Sequence, residues 1–87
     1  MTSKEIAAMR EQVTGIYKIA WHEMNEAVHN ETKIKVRCGE DSVEHVDAYD
    51  VAEHWKGVRV QLGETISDLL HLQCDAAEKE LHYAIDK

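Results

Sequence analysis

Apolar residues recur every three or four positions along two long stretches of this chain, and no proline interrupts either stretch. In the first stretch they are Ile6, Met9, Val13, Ile16, Ala20, Met24 and Ala27. In the second they are Val51, Trp55, Val58, Leu62, Ile66, Leu69 and Ala76, and the polar Gln73 lies on the same stripe. This spacing places side chains on one side of an α-helix, so the pattern predicts two long amphipathic helices.

The helix boundaries follow from capping residues. Thr2 and Glu5 form a capping-box pattern, so the first helix is expected over about residues 3–30. The second helical segment is expected over residues 47–86, with Asp47 and Asp50 as candidate N-caps. A break near Gly63 would give a small three-helix bundle, whereas an unbroken segment gives an antiparallel helical hairpin.

The connector, residues 31–46, has a different period. Ile34, Val36 and Cys38 alternate with basic residues as in a strand, and a turn-rich sequence follows at residues 39–42. A return strand at 43–46 would complete a β-hairpin, and a solvated loop is the alternative. The sequence therefore predicts one mainly α domain over residues 1–87, with its helices joined by a short loop or a β-hairpin.

The chain is too small to build a large core. It has 87 residues, of which 17 are acidic and 10 are Lys or Arg, for a formal net charge of -7. Domains of this size bury a modest fraction of their surface, and oligomerisation is a common remedy. We therefore expect a homo-oligomer, with a dimer favoured. Its interface is expected to contain Trp21, Trp55, Leu62, Ile66 and Leu69.

Charge and composition exclude several classes of protein. An acidic chain is a poor general binder of nucleic-acid backbone, because affinity there comes from Lys and Arg. No apolar run approaches the roughly 20 residues of a membrane span, so no membrane contact is expected. Two cysteines do not make a disulfide framework, and a cytoplasmic location is expected.

The acidic excess is concentrated in the second helical segment, where it can attract a basic partner. The candidate partner-binding residues are Glu64, Asp68, Asp75, Glu78 and Glu80. No nucleophile elbow or glycine-rich phosphate loop is present. The leading hypothesis is a small acidic non-enzymatic protein that binds a protein partner and blocks or regulates it, without a cofactor. In style it is similar to small phage-encoded inhibitors of host or defence proteins.

Four carboxylates support an alternative hypothesis. Glu23 and Glu26 form an E-x-x-E pattern, and Glu44 and Asp47 form an E-x-x-D pattern. Carboxylates three residues apart share a helix face, and four from two antiparallel helices can hold Mg²⁺. This spacing resembles all-α nucleotide pyrophosphatases of the MazG and dimeric dUTPase type, in these four residues alone. The resemblance implies a Mg²⁺-dependent nucleotide pyrophosphatase with these residues as its catalytic set.

A second alternative is a metal-binding helical bundle. His22, Glu26 and His29 lie at i, i+4 and i+7 on the first helix. Glu26 and His29 have the E-x-x-H spacing of di-iron bundles, and Asp68 and His71 provide a similar pair on the second helix. Imidazole and carboxylate ligands suit Fe or Zn.

Overall fold

The chain folds into two long α-helices that pack side by side in antiparallel directions. The structure is a computed structural model, and it describes residues 1–86. Helix α1 spans Ser3–Cys38 and helix α2 spans Val43–Asp86, and no strand occurs within residues 1–86. The molecule is a rod of 69 × 16 × 14 Å. Its long dimension is close to the roughly 66 Å expected for a helix as long as α2.

The start of α1 agrees with the capping prediction. Thr2 has an extended backbone, and its hydroxyl accepts a hydrogen bond from the backbone N–H of Glu5 at 3.2 Å. The same hydroxyl lies 3.2 Å from the Glu5 carboxylate, to which it donates. Thr2 and Glu5 therefore cap the helix together, although Glu5 contacts the Thr2 side chain instead of the Thr2 backbone.

The prediction of a β-hairpin in the connector is wrong. Helix α1 continues to Cys38 and α2 begins at Val43, so only residues 39–42 lie outside the helices. Ile34 is half-buried against α2, whereas Val36 is exposed. Three alternating apolar residues are too few to fix a strand, and packing of Ile34 along an already formed helix outweighs strand propensity.

Gly39 ends α1, and Ser42 begins α2. Gly39 has a φ of 93°, which side chains disfavour, and its N–H donates to the Lys35 carbonyl at 3.0 Å. The Ser42 hydroxyl oxygen accepts from the His45 N–H at 3.1 Å. Ser42 is therefore the N-cap of α2, and the predicted caps Asp47 and Asp50 lie inside the helix instead.

Helix α2 is continuous through Gly63, so the chain forms a hairpin and not a three-helix bundle. A Cβ atom at position 63 would lie 3.6 Å from Cε2 of Tyr17. Tyr17 therefore packs directly over Gly63. No proline is present to break the hydrogen-bond ladder.

The two helices meet along a seam with a heptad pattern. In α2 a set of buried and half-buried residues is spaced alternately by three and four: His45, Ala48, Ala52, Trp55, Arg59, Leu62, Ile66, Leu69, Gln73 and Ala76. Helix α1 provides a matching set: Ile6, Arg10, Val13, Tyr17, Ala20, Met24, Ala27, Glu31 and Ile34. We call these residues the seam. Their spacing is typical of two helices packed as a coiled coil.

The seam differs from the apolar stripe that the sequence predicts for α1. That stripe includes Met9 and Ile16, but these side chains are 40% and 54% exposed. Arg10 and Tyr17, one position further along, occupy the seam instead. In α2, the predicted stripe residue Val51 is 51% exposed. The chain therefore has more apolar surface than one seam can bury.

The core is thin, as the composition predicts. The buried hydrophobic residues of the described chain are Ile6, Ala20, Met24, Ala48 and Ala52. Three of the five are alanines, so the helices approach closely but remove little apolar surface from water. Within residues 1–86, neither helix has an apolar stretch long enough to cross a membrane.

Candidate functional site

Large hydrophobic side chains line one side of the hairpin beside the seam. They are Met9 and Ile16 of α1, and Val51, Val58 and Leu72 of α2. Each lies three positions after a seam residue, so all five occupy the same flanking position of the heptad. In an antiparallel pair, this flank of α1 and the same flank of α2 border one side of the rod. We call the surface formed by these five residues the apolar groove.

Two surface hollows confirm that the groove is formed by both helices. One, of about 650 Å³, is lined by Met9 and Leu72, together with the seam residues Ile6 and Leu69. The other, of about 330 Å³, lies near the connection and has Val51 among its lining residues. Each hollow receives side chains from α1 and from α2. Both ends of the groove are therefore formed by the two helices together, and Ile16 and Val58 lie between the two hollows.

Acidic side chains border the apolar groove along both helices. Glu5 and Asp75 line the larger hollow, and Glu44 and Asp47 line the smaller one. The acidic residues at the groove positions and the adjacent outer positions are Glu5, Glu23, Glu26, Glu44, Asp47, Asp68 and Asp75. The basic residues at equivalent positions are Lys33, Arg37 and Lys79. The groove side of the rod is consequently acidic.

The opposite side of the hairpin, which we call the basic side, also exposes large hydrophobic side chains, among them Trp21, Tyr49 and Leu70, but it differs in charge. Lys18, Lys35 and Lys56 lie there, and all three are exposed. The guanidinium carbon of Arg59 is 4.6 Å from the ring centroid of Trp21. This distance is typical of a cation–π contact. The groove side therefore has an excess of acidic residues, whereas Lys18, Lys35 and Lys56 give the opposite side its basic character.

Lys56 and Glu53 form an exposed ion pair on the basic side. Lys56 Nζ is 3.0 Å from a Glu53 carboxylate oxygen. The hydrogen bond that Lys56 donates to Glu53, together with the negative charge of that carboxylate, raises the pKa of Lys56. Lys56 therefore stays protonated on this side of the rod at neutral pH.

A buried polar cluster closes the seam next to the connection. His45 Nδ1 is 2.8 Å from the Glu40 carbonyl oxygen, and His45 Nε2 is 3.1 Å from a Glu31 carboxylate oxygen. Both oxygens are acceptors, so both contacts are hydrogen bonds only when both ring nitrogens carry a proton. Sequence reasoning missed this cluster. The three-and-four spacing from His45 to Ala52 was the signal that could have placed His45 in the seam.

The acidic residues predicted to bind a partner have three different locations. Asp68 and Asp75 border the apolar groove. Glu64 and Glu78 lie on the outer side of α2, away from α1. Glu80 accepts hydrogen bonds from the Ser3 hydroxyl and the Ser3 N–H, both at 2.7 Å, and these bonds lower the pKa of its carboxyl group.

The residues predicted for a subunit interface lie mostly inside the hairpin. Trp55, Leu62, Ile66 and Leu69 are half-buried seam residues, so much of their surface is covered within one chain. Trp21 is 38% exposed and lies on the basic side. Of the predicted set, Trp21 therefore has the most surface for contact with another chain.

The four carboxylates of the pyrophosphatase hypothesis lie on the groove side but at different heights. Glu44 and Asp47 occupy the first turns of α2 and line the hollow near the connection. Glu23 and Glu26 lie further along α1 and do not line that hollow. The structure thus places them on one face without bringing all four to a common point.

The two halves of the metal-site hypothesis are far apart. His22, Glu26 and His29 are exposed on α1. Asp68 and His71 lie close to Leu72 in the sequence of α2, and Leu72 lies opposite Met9 of α1. Met9 is about 20 Å from His22 along the axis of α1. Throughout residues 1–86, no group of three or more His, Cys, Asp or Glu side chains is placed to hold a metal ion.

Comparison with protein-family models, with curated proteins and with solved structures finds no match to this chain. The surface of the hairpin is therefore the basis for assigning a function.

Proposed function

We propose that this chain is a non-enzymatic binding protein that blocks or regulates another macromolecule by holding it against the apolar groove. The observation that carries the proposal is the row of exposed apolar side chains along the groove, from Met9 and Leu72 at one end to Val51 at the other. Single exposed hydrophobic residues are ordinary, whereas a contiguous apolar surface with a polar border is typical of an interaction site.

The exposed area supports a partner. The chain exposes 6574 Å², whereas a compact monomer of its mass exposes roughly 5,200 Å². The difference is about 1,300 Å², and a standard protein interface covers about 800 Å² on each partner. An interface of standard size would thus remove a large part of the excess exposed area.

The continuity of both helices supports a blocking role. Both helices are continuous, and only residues 39–42 lie outside them. Binding to a preformed surface requires little ordering of the chain, which favours affinity. A rod 69 Å long can also cover a large part of a partner's surface. The proposed activity needs no cofactor.

A second copy of the chain is another way to cover exposed apolar surface, and the homodimer predicted from the sequence stays a prediction. The Mg²⁺-dependent nucleotide pyrophosphatase and the Fe or Zn bundle are weaker proposals. Their candidate ligands do not converge in the hairpin, and no cluster of three metal-binding side chains is found in the described part of the chain. The groove hypothesis, by contrast, depends on residues that the fold brings together.

Site-specific photo-crosslinking tests the proposed function. A benzophenone amino acid would replace Ile16 in the groove or, as a matched control, Val60 on the basic side, where the side chain is 48% exposed. Both full-length variants would be expressed in the cells that encode the protein. We expect the Ile16 position to capture one discrete macromolecule, which native mass spectrometry then shows as a stoichiometric complex. Failure of the Ile16 position to capture a macromolecule would contradict the proposal, whatever the Val60 position captures.

A nucleotide assay tests the enzymatic alternative separately. Folded protein would be incubated with Mg²⁺ and a panel of nucleoside triphosphates, and pyrophosphate release would be measured. We expect pyrophosphate release to be no faster than in the same mixture without protein. Release that disappears in Glu23→Gln and in Asp47→Asn would contradict the binding-protein proposal and favour the pyrophosphatase.

A further inference from the structure

We infer that the partner segment that fits the apolar groove is a basic amphipathic helix, seated lengthwise between α1 and α2. The inference rests on the proposed function and adds the chemical class of the partner. It depends on three properties of the groove: its length, its apolar floor and the sign of the charges along its borders.

The groove has the dimensions of a helix-binding channel. The two hollows lie at its ends, and the stretch of α1 between them, from Met9 to Ala27, corresponds to about 27 Å of helix, or roughly 18 residues of a partner helix. The floor is mainly apolar, with Ile16 from one helix and Val58 and Leu72 from the other, and the polar residues at the same heptad position between its ends are Glu23 and Thr65. A third helix can lie on such a pair with its own apolar face down, which is a recurring mode of peptide recognition.

The borders of the groove select the charge of that helix. Glu26 lies along α1, and Asp68 and Asp75 lie along α2, each next to the apolar floor. An amphipathic helix in the groove would present the residues that flank its apolar face directly to these carboxylates. Lys and Arg suit those positions, because their long stems cover apolar surface while their charged ends reach the carboxylates.

The same borders disfavour other occupants. A second copy packed groove to groove would bring two sets of acidic side chains together, and facing like charges oppose association. A nucleic-acid backbone would bring phosphates to the same carboxylates. A basic helix satisfies both the floor and the borders, and is therefore the occupant that we assign.

Defined peptides test this assignment on the full-length protein. One 18-residue peptide carries a Leu face flanked by Lys, a second has Glu at the same flanking positions, and a third has the composition of the Lys peptide in scrambled order. Binding would be measured by fluorescence anisotropy at low and high salt. We expect the Lys peptide to bind at least about tenfold more tightly than either control, and its affinity to fall as salt screens the charges.

Matched variants locate the binding surface. In the groove, Ile16→Ser and Leu72→Gln are expected to weaken binding of the Lys peptide by about tenfold each, which corresponds to about 1.4 kcal/mol. On the basic side, Val60→Gln and Leu70→Gln remove side chains of similar exposure and are expected to have no effect. All four residues are exposed, and circular dichroism would verify that each variant keeps its helices.

Charge variants separate the groove borders from the net charge of the protein. Asp68→Lys with Asp75→Lys changes the border, whereas Glu64→Lys with Glu78→Lys makes the same change in net charge on the outer side of α2. We expect the border pair to lose more than about tenfold in affinity and the outer pair to lose far less. Equal losses would overturn the inference, since net charge alone would then explain binding.

The outcomes separate this inference from the proposed function. If the Ile16 position captures a macromolecule but the Lys peptide neither binds nor competes with that capture, the proposed function stands and the basic-helix inference is wrong. Equal binding of the Glu or the scrambled peptide also overturns it, as does capture of a second copy of the chain at Ile16. If nothing is captured and no peptide binds, both proposals fail.

Discussion

At the scale of single residues, the four glycines of the chain have different requirements. Gly39 has φ 93° and ψ 157°, a backbone conformation that is essentially restricted to glycine, and open space surrounds its Cα. We expect Gly39→Ala to lower the free energy of unfolding by about 1–3 kcal/mol through backbone strain alone. Gly57 is helical and equally open, so Gly57→Ala should raise it by about 0.5–1 kcal/mol. Urea unfolding measures both free energies. Changes of the same sign in the two variants would contradict the prediction that Gly39, and not Gly57, needs a glycine backbone.

Gln73 is a seam residue whose polarity is a cost. Its Oε1 atom is buried and has no hydrogen-bond partner within the described chain. Burial of an unpaired amide oxygen costs about 1–3 kcal/mol in proteins, so Gln73→Leu should stabilise the hairpin by roughly 1–2 kcal/mol. The control is Gln61→Leu on the same helix, at an exposed position. A lower free energy of unfolding in Gln73→Leu would contradict the prediction that its unpaired amide oxygen destabilises the hairpin.

Glu31 holds His45 in the seam, and the two side chains are only 20% and 9% exposed. Glu31→Ala leaves a buried ring nitrogen without a partner, so we expect a loss of about 1–3 kcal/mol in the free energy of unfolding. Glu31→Gln keeps an acceptor oxygen, so its free energy of unfolding should fall by less than that of Glu31→Ala. The exposed pair of Glu53 and Lys56 is the comparison, because Glu53→Gln should leave stability unchanged. If urea unfolding gave equal changes in free energy for Glu31→Ala and Glu53→Gln, the prediction that the buried contact of Glu31 with His45 stabilises the hairpin would be wrong.

At the scale of the helices, one cluster joins the start of α1 to the last turns of α2. The hydrogen bonds that Ser3 donates to Glu80 lower the pKa of Glu80, so its carboxylate favours the folded state above about pH 4. That contribution is lost as the pH falls through the lowered pKa. We expect the Ser3 amide signal in ¹H–¹⁵N spectra to shift on acidification with the titration of Glu80.

Two variants check that titration. Glu80→Gln should abolish the acid-dependent shift of the Ser3 amide and increase fraying of the first turn of α1. Glu78→Gln changes a carboxylate on the outer side of the same helix and should leave the shift intact. A Ser3 titration that survives in Glu80→Gln would exclude Glu80 as its source.

The helices themselves could be predicted, and their exact contact could not. The three-and-four apolar spacing and the Thr2 cap indicate two long helices, and the structure confirms both. The choice between Met9 and Arg10, or between Ile16 and Tyr17, is different, because adjacent positions lie only about 100° apart on a helix. Which side packs depends on the register against α2, and one helix sequence does not contain that information.

The same reason explains the partial prediction of the site. Asp68 and Asp75 could be proposed from the sequence because they lie in an acidic segment, and their role in binding a partner stays a prediction. The groove beside them needs Met9 and Leu72 to lie on the same side of the rod, and these residues are 63 positions apart in the chain. Only the antiparallel pairing of α1 with α2 brings them together. The strand prediction for residues 34–38 failed because a period-two pattern of three residues competes poorly with a continuing helix.

At the scale of the whole molecule, burial is unevenly distributed along the rod. Ala20, Met24, His45, Ala48 and Ala52 are all buried, and all lie in the half that contains the connection. In the other half, Ile6 is the buried residue of the described chain. Opening should therefore begin at the end that contains Ser3 and Glu80.

Hydrogen exchange measures this gradient directly. We expect backbone amides at about residues 18–28 and 46–58 to exchange most slowly, and those beyond about residue 66 to exchange much faster, although all of them are helical. If helicity alone determined exchange, all helical amides would be protected equally. Uniform exchange would therefore contradict the prediction that the end with fewer buried side chains opens first. The gradient would also leave the larger hollow, near Met9 and Leu72, in the more adaptable half of the groove.

The elongated shape and the separation of charge together give a test of self-association. The radius of gyration is 19.8 Å, against about 12 Å for a compact domain of this length. Side-by-side pairing of two rods doubles the mass with little change in this value, so sedimentation equilibrium must accompany small-angle scattering. We expect twice the mass of one chain with a radius of gyration near 20 Å.

Because acidic borders disfavour groove-to-groove pairing, the dimer should use the basic side. Trp21→Glu should then restore the mass of one chain, and Ile16→Glu should not; the reverse result would place the second copy in the groove and exclude the basic helix from it.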